Sequence, residues 1–501
     1  MGLDLLFDAL VTVIGGGSLV YVFLGVTLGL CFGVIPGLGG TTALALLVPV
    51  TFTMDSLDAM YLAGGVMGAT SFGGSLTAIL LNTPGTAPNA ASCFDGYPLA
   101  QQGKAGTAIG AAATASALGG LIGLFTLLLV IPIARELVLA FGPAEFLLLT
   151  ILGLVAIAVS SRGKLLRGLI AGGVGLMLAF VGYDSIAGAE RFTLGTDYLW
   201  DGIPLVPTLT GMFALSQMIE LALKGGSVAS KINNAGQRIT GVWSGVIAVF
   251  KHWTTLLRGS FIGTIIGAIP GLGGTVASFI AYTSTVQGSR ERDSFGKGNV
   301  VGVIAPESAN NAKDGGSLVP TVAFGIPGSA ETALFLGILV LHGIDPGPTI
   351  LLQNQAEVYG LIVALTLSAV GASVIGLFFA RWLVLITHVN VHFLVPVVVA
   401  VSLTGVYVLD GKPGDVVLAL IMGLLGYLMM RFDYPRLTLV IALVLGETAE
   451  RSFHQTQIIS DQDIVGFMAG RPQSLILIAL IIFTLLLPSL RRIVHLRRSA
   501  A

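Results

Sequence analysis

The heptapeptide Ile35-Pro36-Gly37-Leu38-Gly39-Gly40-Thr41 returns as Ile269-Pro270-Gly271-Leu272-Gly273-Gly274-Thr275. Two further pairs keep the same order downstream. Gly73-Gly74-Ser75-Leu76 matches Gly315-Gly316-Ser317-Leu318, and Thr83-Pro84-Gly85-Thr86-Ala87 matches Ile326-Pro327-Gly328-Ser329-Ala330. A glycine-rich chain can produce one such match by chance; three in order point to a duplication. The sequence therefore divides into a first half (1–223), a linker (224–240), a second half (241–490) and a basic tail (491–501).

The surroundings of these motifs are those of a membrane protein. Of 501 residues 54% are hydrophobic and 10% charged, against about 25% charged in soluble domains. Mean hydropathy is +0.92. Continuous apolar stretches recur from 20–35 to 475–487; a crossing takes roughly 20 residues, and several of the stretches are too short to cross alone. This excludes a soluble enzyme, a nucleic-acid binder and a disordered chain. Unbroken rather than alternating apolar runs argue against a β-barrel. The expected fold is an all-α polytopic membrane protein with roughly 10–14 membrane segments, some of them re-entrant. A net charge of −1 offers no basic field for nucleic acid. Cys31 and Cys93 cannot build a disulfide framework and read as small core residues. Met1-Gly2-Leu3-Asp4 lacks the basic start of a signal peptide, and Leu6 stands where a myristoylation signal needs Ser or Thr.

Lys and Arg in short loops set orientation. Arg491, Arg492, Arg497 and Arg498 place the tail in the cytoplasm. Arg162, Lys164 and Arg167 mark one cytoplasmic loop; Lys224, Lys231 and Arg238 mark another. Between them Asp184, Glu190, Asp197 and Asp201 fit the opposite side. A cytoplasmic loop at Arg290, Arg292 and Lys297 would make 259–286 a re-entrant hairpin with Pro270-Gly271 at its tip.

Paired, Gly/Pro-interrupted helices at matching places are the sequence mark of a transporter core. A helix broken inside the membrane frees N–H and C=O groups that lipid cannot satisfy, so they face protein, water or a ligand. Pro84 and Pro327 suit the first position of a helix, with Thr83 as its cap. Two helix starts facing one another would form an anion cradle. The same Pro-Gly pairs also occur as ordinary turns at a membrane surface.

These motifs resemble the large membrane subunit of tripartite tricarboxylate transporters, the TctA family. The resemblance rests on 33–42, 73–87, 267–275 and 305–330, the last reading APESANNAKDGGSLVPTVAFGIPGSA. It implies a permease of the bacterial inner membrane, partnered by a small four-helix membrane subunit and a periplasmic solute-binding protein. It further implies inverted repeats, an elevator-type movement, and import of a tri- or dicarboxylate such as citrate driven by an ion gradient. The coupling ion is usually sodium; a proton is the alternative. No organic cofactor is expected.

The residues agree on the energy source. Gly103-Lys104 is followed by Ala105, so no Walker A loop forms, and neither HExxH nor GxSxG occurs. One net inward charge supplies about 2.3 kcal/mol per 100 mV, roughly a 50-fold accumulation. For the carboxylate the candidates are Asn82, Thr83, Pro84, Gly85 and Thr86 with Pro327, Gly328 and Ser329, which combine backbone access, hydroxyls and an amide. For sodium they are Gly37, Gly39, Gly40 and Thr41, Gly271, Gly273, Gly274 and Thr275, and the amides of Asn310 and Asn311, all neutral oxygen donors. Asn310 and Asn311 also suit helix capping or inter-helix bonding. Lys313 is a third substrate candidate; it can equally pair with Asp314 or Glu307, or sit at the interface. Glu331 suits the positive end of a helix. His252, His342, His388, His392, His454 and His495 lack metal-ligand spacing. A passive anion channel or a membrane scaffold is the competing reading, though a scaffold has no need of paired broken helices.

Overall fold

Proline and glycine cut the apolar sequence into helices of unequal length. The computed structural model describes residues 2–160, 165–184, 188–224, 240–345, 347, 349–386 and 391–499. Arg162, Lys164, Lys231, Arg238, His388 and nearly all of the linker lie outside them. In the first half the helices are α1 (Gly2–Gly15), α2 (Leu19–Val34), α3 (Gly39–Thr51), α4 (Ser56–Leu81), α5 (Ala90–Gln101), α6 (Ala105–Leu139), α7 (Pro143–Ser160), α8 (Leu165–Ala179), α9 (Leu205–Leu209) and α10 (Ser216–Lys224). A π-helical turn, Thr210–Leu215, joins the last two. The second half contains α11 (Val242–Lys251), α12 (Trp253–Gly267), α13 (Gly273–Gly288), α14 (Val301–Phe324), α15 (Ala330–Leu341), α16 (Ile350–Gln353), α17 (Gln355–Leu385), α18 (Val391–Asp410), α19 (Pro413–Arg431), α20 (Arg436–Ile459), α21 (Ile464–Ala469) and α22 (Pro472–Ser499). The basic tail thus continues α22.

Among the described residues six helices are long and apolar enough to cross a bilayer: Ser56–Leu81, Ala105–Leu137, Leu205–Lys224, Gln355–Leu385, Val391–Asp410 and Pro413–Arg431. Counting α1 and α2, bent by 83° at their junction, as one span gives a seventh. Shorter apolar helices such as α3 and α15 fall below the spanning length because the breaks divide them. The acidic segment after α8 carries a departure from the all-helical pattern, a two-residue antiparallel ladder pairing Gly182 with Arg191 and Tyr183 with Glu190.

The halves pack on each other reciprocally. α2 packs on α4 and α12 on α14, within each half; α6 then lies against α14, and α17 against α4. Small residues let the backbones meet, as membrane helix seams require. A Cβ on Gly25 would stand 2.9 Å from Gly65 Cα, and one on Gly33 3.2 Å from Gly73 Cα. Large exposed apolar side chains, among them Phe261, Phe378 and Trp382, form a surface suited to hydrocarbon and not to water.

Candidate functional site

Both breaks adopt the same backbone path. Gly37 (φ +90°) and Gly39 (φ +63°) correspond to Gly271 (φ +82°) and Gly273 (φ +64°), left-handed values that favour glycine. In each half the first break bonds to the second Pro-Gly turn: Gly37 N–H donates to Gly85 O (3.4 Å) and Gly271 N–H to Gly328 O (3.2 Å). The long helix before each turn ends left-handed, at Asn82 (φ 54°) and Gly325 (φ 68°).

The helix starts differ from the sequence expectation. Neither Pro84 nor Pro327 opens a helix, and Thr83 is no cap; its hydroxyl donates to Leu81 O at 3.3 Å. Helix resumes two to three residues later. A 3₁₀ turn, Ala87–Asn89, precedes α5, and Ser329 caps α15 by reciprocal bonds with Thr332. The physical reason is that each Pro-Gly glycine spends its polar groups elsewhere. Gly85 N–H donates to Gly74 O (3.3 Å) and Gly328 N–H to Thr321 Oγ1 (3.3 Å), while both carbonyls receive the first break.

One open cavity of about 860 Å³ gathers much of this machinery. Gly37, Gly39, Gly40 and Thr41 line it, as do Pro84, Gly85, Thr86, Asn310 and Lys313. The start of α15, Ala330 and Glu331, forms part of the wall. The other sequence candidates lie elsewhere. Asn82 is an exposed helix end, and Pro327, Gly328 and Ser329 are buried behind the wall. Asn311 turns its amide back to Glu307 O (3.2 Å). Gly271, Gly273 and Thr275 are not on the wall, while Gly274 backs Asn310: a Cβ there would lie 2.8 Å from Asn310 Oδ1. Asn310 itself is buried, and among the described residues neither its amide oxygen nor its nitrogen has a hydrogen-bond partner.

The charges are arranged unequally. Lys313 Nζ lies 2.6 Å from both Asp314 Oδ1 and Glu331 Oε2, so one cation serves two carboxylates. Its partner is Glu331 across the Pro-Gly turn, not Glu307. Glu331 occupies the first turn of α15, where the helix dipole favours an anion. On the opposite wall Lys224 pairs with Glu220 (2.7 Å). Arg436 is the exception. Its Nη1 donates to Met212 O (2.9 Å) and Ser216 Oγ (2.6 Å), and its guanidinium stacks 5.5 Å from the Phe213 ring. Among the described residues no carboxylate forms an ion pair with it. The acceptors sit in and just after the π-helical turn, a distortion frequent at functional sites. Sequence reading passed over Arg436, because it stands at the edge of an apolar run where an interfacial Arg is ordinary; only the neighbouring Pro435 hinted at a helix start.

Comparison with known proteins accords with this anatomy. The model of the tripartite tricarboxylate transporter TctA family matches residues 19–441. An uncharacterized 52.8 kDa protein in the TAR-I ttuC' 3' region of Agrobacterium vitis is 32% identical over 477 residues, 95% of this chain and 94% of that one. An uncharacterized protein in the TAR-II ttuC' 3' region of the same organism is 32% identical over 232 residues, 46% of this chain and 96% of that one. No solved structure matches. With a family model covering both repeats and the cavity between them, the chain belongs to the tripartite tricarboxylate transporter TctA family.

Proposed function

We propose that the chain is the ion-coupled permease that takes a small di- or tricarboxylate, such as citrate, from a periplasmic binding protein and carries it across the bacterial inner membrane. The observation that carries this reading is the cavity. A Pro-Gly turn, two helix starts and an arginine that forms no ion pair among the described residues face one space. Charge-assisted hydrogen bonds from a guanidinium hold carboxylates well. Arg436 would bind one carboxylate, and Thr86 with the Gly39–Thr41 backbone another. Sodium is the coupling ion of this reading. The Asn310 amide, which lines the same cavity as Glu331 and Gly40, supplies a hard oxygen donor for it. The four-helix subunit completes the assembly, the tail faces the cytoplasm, and the two halves are inverted repeats that move in an elevator fashion.

The test is uptake by proteoliposomes holding both membrane subunits, with the binding protein outside. An inward sodium gradient should accelerate citrate or dicarboxylate uptake at least tenfold over equal sodium on both sides. Uptake indifferent to every cation gradient would reject coupling, and bilayer currents far above carrier turnover would favour a channel.

A further inference from the structure

Deep in the protein, away from the cavity wall, Glu307 of α14 has no exposed surface. Three serines from three other helices donate to its carboxylate: Ser75 of α4 (2.6 Å), Ser116 of α6 (3.0 Å) and Ser92 of α5. Among the described residues no Lys, Arg or His forms an ion pair with it. Lys313, further along the same helix, is held by Asp314 and Glu331. On α5 the facing titratable group is the Cys93 thiol. Asp95, one turn on, is engaged by the N–H groups of Gly298 and Asn299 and by Tyr282 of α13. The charged residues of α4 and α6 lie more than three turns from Ser75 and Ser116, Arg258 of α12 turns its guanidinium toward Gly288, and Lys251 of α11 is exposed. An ionised Glu307 therefore has donors but no countercharge.

The network also accommodates the protonated form. Ser75 Oγ lies 3.1 Å from Ser71 O. When Glu307 carries a proton, its O–H can donate to Ser75 Oγ, and the Ser75 hydroxyl turns to the Ser71 carbonyl. Both arrangements use the same heavy-atom positions.

A continuous chain of bonds links this group to the cavity. Thr86, on the cavity wall, donates to Asn89 Oδ1. Asn89 Nδ2 donates to Ser75 Oγ (2.9 Å) and Ser71 O (3.0 Å). A ligand carboxylate that accepts the hydrogen bond of the Thr86 hydroxyl leaves Asn89 Oδ1 without its donor. The amide is then less polarised, its bond to Ser75 weakens, and Ser75 Oγ accepts more readily from a protonated Glu307. Ligand binding and protonation favour each other.

We infer that Glu307 is a proton-coupling site: it takes a proton from water on the loading side when a carboxylate engages Thr86, and releases it to water on the unloading side. This rests on the permease reading of the cavity and adds a proton to the sodium assigned there. Only an O–H bond forms and breaks; no electrons are exchanged.

The experiment uses the complete assembly in proteoliposomes with equal sodium on both sides and an acid exterior. In wild type, the pH gradient should raise carboxylate uptake, and an internal dye should report acidification that depends on the substrate. In Glu307→Gln both the acceleration and the acidification should fall at least tenfold, with exchange of internal for external substrate persisting. Should that variant fail to assemble, Ser92→Ala takes its place. It removes a donor from the ionised form, so the pH of half-maximal stimulation should rise. Wild-type uptake without proton entry, full acceleration in Glu307→Gln, or an unmoved midpoint in Ser92→Ala would overturn the inference and leave the permease reading standing. Absence of carboxylate uptake under any cation gradient would overturn both.

Discussion

Gly85 has no room for a side chain. A Cβ there would collide with the Gly33 carbonyl and come within 2.6 Å of Gly74 Cα. Gly328 is equally enclosed, with Ser317 Cα at 2.7 Å from such an atom. Substituting either glycine is thus a packing lesion as much as a test of ligand binding. Gly85→Ala should cost about 1–3 kcal/mol, as overpacking does, seen as a lower melting temperature in detergent; an unchanged melt would mean that the turn can move away. Arg436 separates binding from packing more cleanly. Arg436→Gln removes a charge-assisted bond worth about 1.5–3 kcal/mol, so the KM for carboxylate uptake should rise about 10- to 100-fold, with Arg436→Lys in between. A KM equal to wild type would remove Arg436 from the site.

At the scale of elements, two partly buried ion pairs fasten the periphery. Glu145, at the start of α7, accepts from Arg471 Nε (2.8 Å) and Nη2 (3.0 Å), from Ser474 of α22 and from Gly142 N–H. Arg191 of the short ladder makes a two-pronged contact with Glu450 of α20. The Glu450 carboxylate raises the Arg191 pKa, so this contact persists across the physiological range. Arg471→Met strands the buried Glu145 carboxylate and should cost about 3–5 kcal/mol, read as a shifted thermal transition; a shift within error would mean that water replaces the guanidinium.

The same scale explains what the sequence could disclose. The breaks at Gly37–Gly39 and Gly271–Gly273 were legible because proline and glycine act locally on the backbone. The helix starts were misplaced because the Pro-Gly glycines bond to partners far along the chain, Gly85 to Gly37 and Gly328 to Gly271. The Glu307 cluster left no local pattern, its serines standing 232, 215 and 191 residues away. Arg436 meets the cavity only through the fold.

For the whole molecule, the exchange of α6 and α17 between the halves makes each half's long helix part of the other's packing. The movement of one half against the other proposed above, which alternating access requires, would have to carry this shared seam with it. The orientation proposed above rests on the charge rule. A cysteine placed at Asp201 should react with a membrane-impermeant thiol reagent in intact cells, whereas one at Arg167 should react only after permeabilisation. The reverse labelling would invert the assigned topology.

In the permease proposed above, the carboxylate rests in the cavity beside the first Pro-Gly turn. Ala87 is exposed on that wall. In an assembly with Cys31 and Cys93 replaced by Ala, the thiol of Ala87→Cys can be alkylated with and without substrate. Substrate is predicted to slow the reaction at least fivefold, saturating at the concentrations that saturate uptake, while a control thiol at Ala140, exposed and away from the cavity, reacts unchanged. An Ala87→Cys rate indifferent to substrate in an assembly that still transports would contradict the account.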